Sequence, residues 1–255
     1  MKKSLLFFCF LTASLSFAQK ADNSLFGHYE EKGDDGFYKT FKFDGNGKVL
    51  IADVDYGDYF TRNDSLIIYP DKDIFIFKLE KGKLIGKSTW VKNGKWFLKD
   101  NPELENKRHD ASKADLQAQL LAEYYDISKN SNQLEALFSK SAQDKLSNLC
   151  DKGLAKACLD VFGIKMLTDT PGLLTKPESI ATKKLKPNPE LLALSKKIVA
   201  LGNPEGHTVL GSYLYVLGLK KEADVEFDKA IEMGSTKAAL AKFSIEMEAE
   251  ANEKE

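Results

Sequence analysis

The stretch Leu149-Cys-Asp-Lys-Gly-Leu-Ala-Lys-Ala-Cys158 decides how the second half of this chain is read. Cys150 and Cys158 stand eight residues apart across Gly153. An unbroken helix would hold their Cα atoms about 12 Å apart, whereas a disulfide needs them within about 7 Å. If the two pair, the chain turns back between them, and a glycine at a helix end permits that turn. A helix is then expected to end near Cys150 and the next to begin near Leu154. Left unpaired, the two are buried thiols.

Outward from this stretch the apolar period is 3.6. Leu116, Leu120, Leu121, Tyr124 and Tyr125 draw one stripe, and Leu134, Leu137, Phe138, Leu146 and Leu149 a second. Further helices are predicted over 155–168, 189–201, 205–217, 220–233 and 236–249. They repeat in pairs. Gly153-Leu-Ala-Lys-Ala157, Gly202-Asn-Pro-Glu-Gly206 and Gly234-Ser-Thr-Lys-Ala238 each place a glycine at a helix end and a small residue inside the next helix. Gly202 to Gly234 encloses one full unit, with Leu210-Gly211 and the tyrosines 213 and 215 in its first helix, a turn at Gly218, and Ala223, Phe227 and Ala230 in its second.

That unit resembles the Sel-one-like subclass of tetratricopeptide-like repeats. The segment around Cys150 resembles the disulfide-stapled variant in bacterial cysteine-rich repeat proteins, where a bridge of this spacing ties one repeat to the next. The resemblance implies a Cys150–Cys158 disulfide and an all-α array of helical hairpins over 114–255, a solenoid whose concave face binds other proteins. Tyr124, Tyr125, Tyr213 and Tyr215 are then the candidate contacts with a protein partner, since aromatic anchors dominate interface energetics. Some stapled relatives bind or weakly hydrolyse β-lactams, but no residue of this chain carries that activity over, so a weak β-lactam-type hydrolase is a remote alternative.

From Leu25 to Lys99 the period is two. Phe41-Lys-Phe43, Ile74-Phe-Ile-Phe77 and Lys95-Trp-Phe-Leu98 have the composition of strands. Turn pairs such as Asp44-Gly45, Asn46-Gly47, Lys81-Gly82 and Asn93-Gly94 interrupt them. About eight strands are predicted, over 26–31, 37–43, 48–53, 56–62, 65–69, 73–79, 83–91 and 95–99. Such short hairpins make an antiparallel up-and-down meander, either a small barrel or a sandwich. With Leu25-Phe-Gly-His-Tyr29 and Phe41-Lys-Phe-Asp-Gly-Asn-Gly-Lys48, the run over 24–100 resembles the small lipocalin-like domains of exported bacterial proteins. That resemblance implies a small apolar ligand as the alternative function. Side chains alone can also fill so small an interior.

The whole is therefore an α+β chain of two domains, joined over 101–113 by a polar linker that includes Asn101-Pro102. Met1–Ala18 reads as a signal peptide: Lys2 and Lys3, an apolar run over 5–15, then Ser16-Phe-Ala18. Export to a periplasm or beyond the cell follows, and no other run is long enough to span a membrane. A net charge of −1 argues against a nucleic-acid partner. Asp44-Gly-Asn46-Gly-Lys48 lacks the glycine and glutamate of a calcium loop, and Asp53, Asp55 and Asp58 around Gly57 read as a solvated turn. His28, His109 and His207 are separate from any nucleophile pattern, and His207 reads as a packing residue at a helix start. No catalytic residue, cofactor or metal ligand is assigned, and the expectation is a non-enzymatic adaptor.

Overall fold

The computed structural model describes residues 21–33, 37–70, 73–99, 111–129, 139–170 and 186–252. The expected leader, residues 101–110 of the expected linker, His109, Leu134, Leu137 and Phe138 fall outside them. The chain divides into two units, Met1–Gln119 and Leu120–Glu255.

Eight strands build the first unit: β1 Phe26–Glu31, β2 Thr40–Asp44, β3 Lys48–Ile51, β4 Asp55–Arg62, β5 Ser65–Tyr69, β6 Phe75–Glu80, β7 Lys83–Gly86 and β8 Lys95–Lys99. Each pairs antiparallel with the next, and β8 returns to β1 in the register His28↔Lys99 and Glu30↔Phe97. Of the two meanders the sequence allowed, the chain forms the closed barrel. Closure leaves no unpaired edge strand.

Alternation dictates the interior. Phe41 and Phe43 on β2, Leu66 and Ile68 on β5, and Phe75 and Phe77 on β6 all point inward and are buried. The Phe41 ring meets Phe77 at 5.2 Å and Trp96 at 5.5 Å between centroids, both edge-on. Such pairs add about 0.5–1.5 kcal/mol each beyond their area burial.

Polar groups close both barrel ends. At one end, the Tyr59 hydroxyl shares its proton between the carbonyls of Asn23, at 2.6 Å, and Leu25. Burial pushes this phenol far above its ordinary pKa. Asn23 is itself buried and donates from Nδ2 to the Ala114 carbonyl at 2.7 Å. At the other end, Trp96 donates from Nε1 to the Tyr38 carbonyl at 2.7 Å, and the Tyr38 ring lies 4.7 Å from Phe75.

Four strands are shorter than predicted, β6 by one residue because it begins at Phe75 rather than at 73. β2 begins at Thr40 rather than at 37. β3 stops at Ile51, because Ala52 and Asp53 take positive φ and turn the chain. β7 stops at Gly86; Thr89–Val91 then forms a 3-10 turn that brings Val91 into the core.

Seven helices are described after the barrel: α1 Ala111–Ser128, α2 Lys140–Asp151, α3 Ala155–Asp169, α4 Pro189–Ala200, α5 Glu205–Val216, α6 Lys220–Glu232 and α7 Thr236–Asn252. α1 starts three residues earlier than the predicted domain edge at 114, and the division between units falls inside it. Within the barrel unit, Asn23 reaches the first turn of α1 by its hydrogen bond to the Ala114 carbonyl. Leu116, expected on the apolar stripe, is exposed, whereas Leu120, Leu121 and Tyr124 of that stripe are buried, together with Ala114, Ala118 and Ala122.

Successive helices joined by short turns lie side by side: α2 on α3, α4 on α5, α5 on α6 and α6 on α7. Local chemistry sets their ends. Ser139 caps α2 by accepting from the Ala142 N–H, and Asn188 caps α4 by accepting from the Glu190 N–H, with Pro189 at the first helical position. Gly153, at φ 96°, takes the left-handed conformation that lets α2 turn into α3.

Candidate interaction surfaces

The turn at Gly153 brings the Cα atoms of Cys150 and Cys158 to 4.6 Å, and the two are joined in a disulfide. Both cysteines are buried, so the bridge is a core staple between α2 and α3.

The four tyrosines selected from the sequence are not equivalent. Tyr213 has no exposed surface. Its hydroxyl donates to Asp169 Oδ2 at 2.7 Å and accepts the Asn188 N–H at 2.9 Å. Asn188 Nδ2 in turn donates to Asp169 Oδ1 at 2.9 Å. These bonds tie the end of α3, the start of α4 and the middle of α5 together. Burial pushes the Tyr213 phenol up to about 12, with the Asp169 carboxylate adding to the shift. A partner cannot reach it, which corrects the expectation that Tyr213 is a contact residue. The physical reason is its helical phase, which points the ring at Phe162, 6.3 Å away.

Tyr124 is also buried, and its hydroxyl donates to Asp160 Oδ2 at 2.6 Å. Burial raises the Asp160 carboxyl above the ordinary range, against the opposing pull of Tyr124 and Lys156. Tyr125 and Tyr215 keep part of their surface in solvent. A lysine ammonium lies over each ring, Lys129 at 5.4 Å and Lys220 at 5.7 Å.

His207 donates from Nδ1 to Glu226 Oε2 across α5 and α6, at 2.6 Å. Burial alone would raise the Glu226 carboxyl, but hydrogen bonds from Lys229 and His207 outweigh it and hold the group below its ordinary range. His28, on β1, has Glu30 at 3.5 Å. The carboxylates near Gly57 each have partners of their own: Asp53 has Lys42 at 2.7 Å and the Thr40 hydroxyl at 3.4 Å, Asp58 has Lys48, and Asp55 has the Tyr56 N–H at 2.9 Å. Asp44 accepts from the Asn46 and Lys48 N–H groups, so it serves its own turn. Among the described residues no group of three or more such side chains is arranged to hold a metal ion. No described helix is long and apolar enough to cross a membrane.

One surface escaped the sequence reading. Phe37, Val54, Tyr56 and Trp90 are between 61% and 86% exposed. Phe37 lies in the β1–β2 connection, Val54 between β3 and β4, Tyr56 at the start of β4, and Trp90 between β7 and β8. The up-and-down topology puts all these connections at one end of the barrel. That end therefore carries an apolar rim, with the carboxylates of Asp55 and Asp73 near enough to Tyr38 to raise its phenol further after burial. Phe37 and Trp90 were hidden in the sequence because both fall inside the stretches read as strands, 37–43 and 83–91.

No family model, curated protein or solved structure matches this chain.

Proposed function

We propose that this is an exported, non-enzymatic adaptor. In this reading a lipocalin-like barrel serves as a rigid scaffold, and a short solenoid of Sel-one-like helical pairs engages a protein partner. The observation that carries it is how apolar side chains are distributed. Phe41, Phe43, Tyr59, Phe75, Phe77 and Trp96 occupy the barrel interior with their rings against one another. Apolar and aromatic surface offered to another molecule therefore stands outside, on the barrel rim and at Tyr125 and Tyr215. Four exposed apolar side chains at one barrel end, Phe37, Val54, Tyr56 and Trp90, are the kind of grouping that marks an interaction site.

The disulfide supports the export half of the proposal, because such bridges persist in oxidising compartments. The glycine-punctuated helical pairs support the solenoid half. The alternative, a carrier of a small apolar ligand, has less in its favour: pockets of that kind enclose about 300–1,000 Å³, and here aromatic rings stand where the ligand would.

A photo-crosslinking residue placed in the full chain at 125, 215, 37 or 90, and activated in the exported compartment, tests the reading. One protein adduct, recurring at 125 or 215, is expected. Adducts confined to 37 and 90 would move the binding face to the barrel and remove the role given to the helices. Absence of any adduct at all four positions would overturn the proposal.

A further inference from the structure

The net charge of −1 conceals a barrel with two unlike flanks. From Phe75 to Lys99, the stretch that builds β6, β7 and β8, there are seven lysines and one acidic residue, Glu80. From Asp44 to Asp73, a stretch that contains β3, β4 and β5, there are seven aspartates against Lys48, Arg62 and Lys72. In a closed ring of eight strands, β3 and β4 stand across the axis from β7 and β8. The barrel is therefore basic on one side and acidic on the other.

Strand register shows how the basic side is laid out. Alternation turns Leu84 and Trp96 inward, so Lys83 and Ile85 of β7 and Lys95, Phe97 and Lys99 of β8 lie on the outer face. Pairing sets Lys78 beside Ile85, Ile85 beside Lys95, and Lys83 beside Phe97. Lys32, just past β1, joins them: its Nζ lies 4.6 Å from the centre of the Phe97 ring, and that of Lys83 lies 5.8 Å away. Lys81 sits in the β6–β7 turn, and Lys87 and Lys92 flank the exposed Trp90 in the β7–β8 connection.

Ion pairing leaves this flank unbalanced. On the acidic side Lys48 meets Asp58. Here Lys78 and Lys83 share the one carboxylate of Glu80, at 3.4 and 3.5 Å, and Lys99 takes Glu30 of β1. Lys32, Lys81, Lys87, Lys92 and Lys95 are exposed and have no carboxylate in ion-pair contact among the described residues. Five ammonium groups on one side of one barrel call for negative charge from outside the chain.

Residue type and curvature define what carries that charge. Phe75–Lys99 contains no arginine, the side chain whose planar fork grips phosphates and carboxylates one at a time. The outer face of a closed barrel is convex and gives a strand of nucleic acid no groove to track. Hydrated point charges on long stems suit a plane of anionic headgroups instead. Trp90, 61% exposed between two lysines, is the amphipathic ring that settles at a membrane interface.

We propose that the β6–β8 flank docks on an anionic lipid bilayer, lying on it without spanning it, with Trp90 in the headgroup layer. The acidic flank, repelled by the same surface, faces water and fixes the orientation. The proposal stands apart from the partner assigned to the helices.

Co-sedimentation of the mature full-length protein with phosphatidylcholine vesicles, with and without one third phosphatidylglycerol, tests it. Binding is expected only with the anionic lipid, and should fall at least tenfold between about 50 and 500 mM salt. Trp96 is buried, so a blue shift of tryptophan emission on binding reports Trp90 and should vanish in Trp90→Phe. Lys87→Gln with Lys95→Gln should lower the partition coefficient about twentyfold, with unchanged circular dichroism. Lys196→Gln with Lys221→Gln, at exposed helical positions, changes net charge equally and should leave binding as it was. No binding to anionic vesicles, equal binding to neutral ones, or equal loss in the helical control pair overturns the proposal. So does binding to a single-stranded oligonucleotide or to polyglutamate through Lys87 and Lys95 while vesicles stay unbound. Partner adducts can be missing while vesicles bind, so this reading and the adaptor reading fail separately.

Discussion

Tyr213 shows how one side chain can look like a binding residue in sequence and turn out to be a rivet. Its ring stays in the core if the hydroxyl alone is removed, so Tyr213→Phe isolates the hydrogen bonds to Asp169 and Asn188. Leaving those partners unsatisfied should cost about 1–3 kcal/mol, measurable by urea unfolding. Two carboxyls give predictions of opposite sign with pH. Glu226 is held below its ordinary pKa, so its contribution is complete above that ordinary value and lost as pH falls through the depressed one. Asp160 is raised, so the folded protein binds its proton more readily than the unfolded chain does. Its ionisation therefore removes stability as pH climbs from the ordinary carboxyl value through the raised one. In unfolding curves across the acid range, Glu226→Gln should flatten the loss of stability on acidification, and Asp160→Asn should steepen it. The same slope in both variants would contradict the assignment.

Elements divide by how local their causes are. Strand alternation at Phe41, Phe43, Phe75 and Phe77 and the Asp-Gly and Asn-Gly turns are written within a few residues, and the barrel strands were legible for that reason. Helix pairing was legible through Gly153, Gly202 and Gly234. What the sequence did not reveal depends on distant partners. β7 stops early because Val91 folds back into the core, and α1 starts early, in company with a hydrogen bond from Asn23, far away in the chain. Leu116 matches its stripe by spacing yet is exposed, whereas Leu120, Leu121 and Tyr124 of that stripe are buried. The rim of Phe37, Val54, Tyr56 and Trp90 was illegible because Phe37, Tyr56 and Trp90 fall inside the stretches predicted as strands over 37–43, 56–62 and 83–91. At this scale the disulfide has a defined weight. In the chain-entropy picture, closing so short a loop stabilises by about 2.5 kcal/mol. Cys150→Ser with Cys158→Ser should lower unfolding stability by that amount, with the helices still formed by circular dichroism. No change would mean that the Gly153 turn alone fixes the junction.

At the scale of the whole molecule, two unlike architectures use apolar surface in unlike ways. The barrel spends its aromatic residues inward: Phe41→Ala, at a fully buried position, should cost about 3–5 kcal/mol by thermal or denaturant unfolding. The helical unit keeps Tyr125 and Tyr215 partly in solvent and leaves Leu240, Phe243 and Met247 on one open face. A scaffold closed within and adhesive without is what the adaptor proposal requires. Native mass spectrometry of the full mature protein, lightly cross-linked in its own compartment before purification, tests that proposal most directly. The account predicts a polypeptide two hydrogens lighter than its reduced form, carrying a partner protein and no small molecule. A stoichiometric apolar molecule that stays with the chain until the barrel unfolds would contradict it.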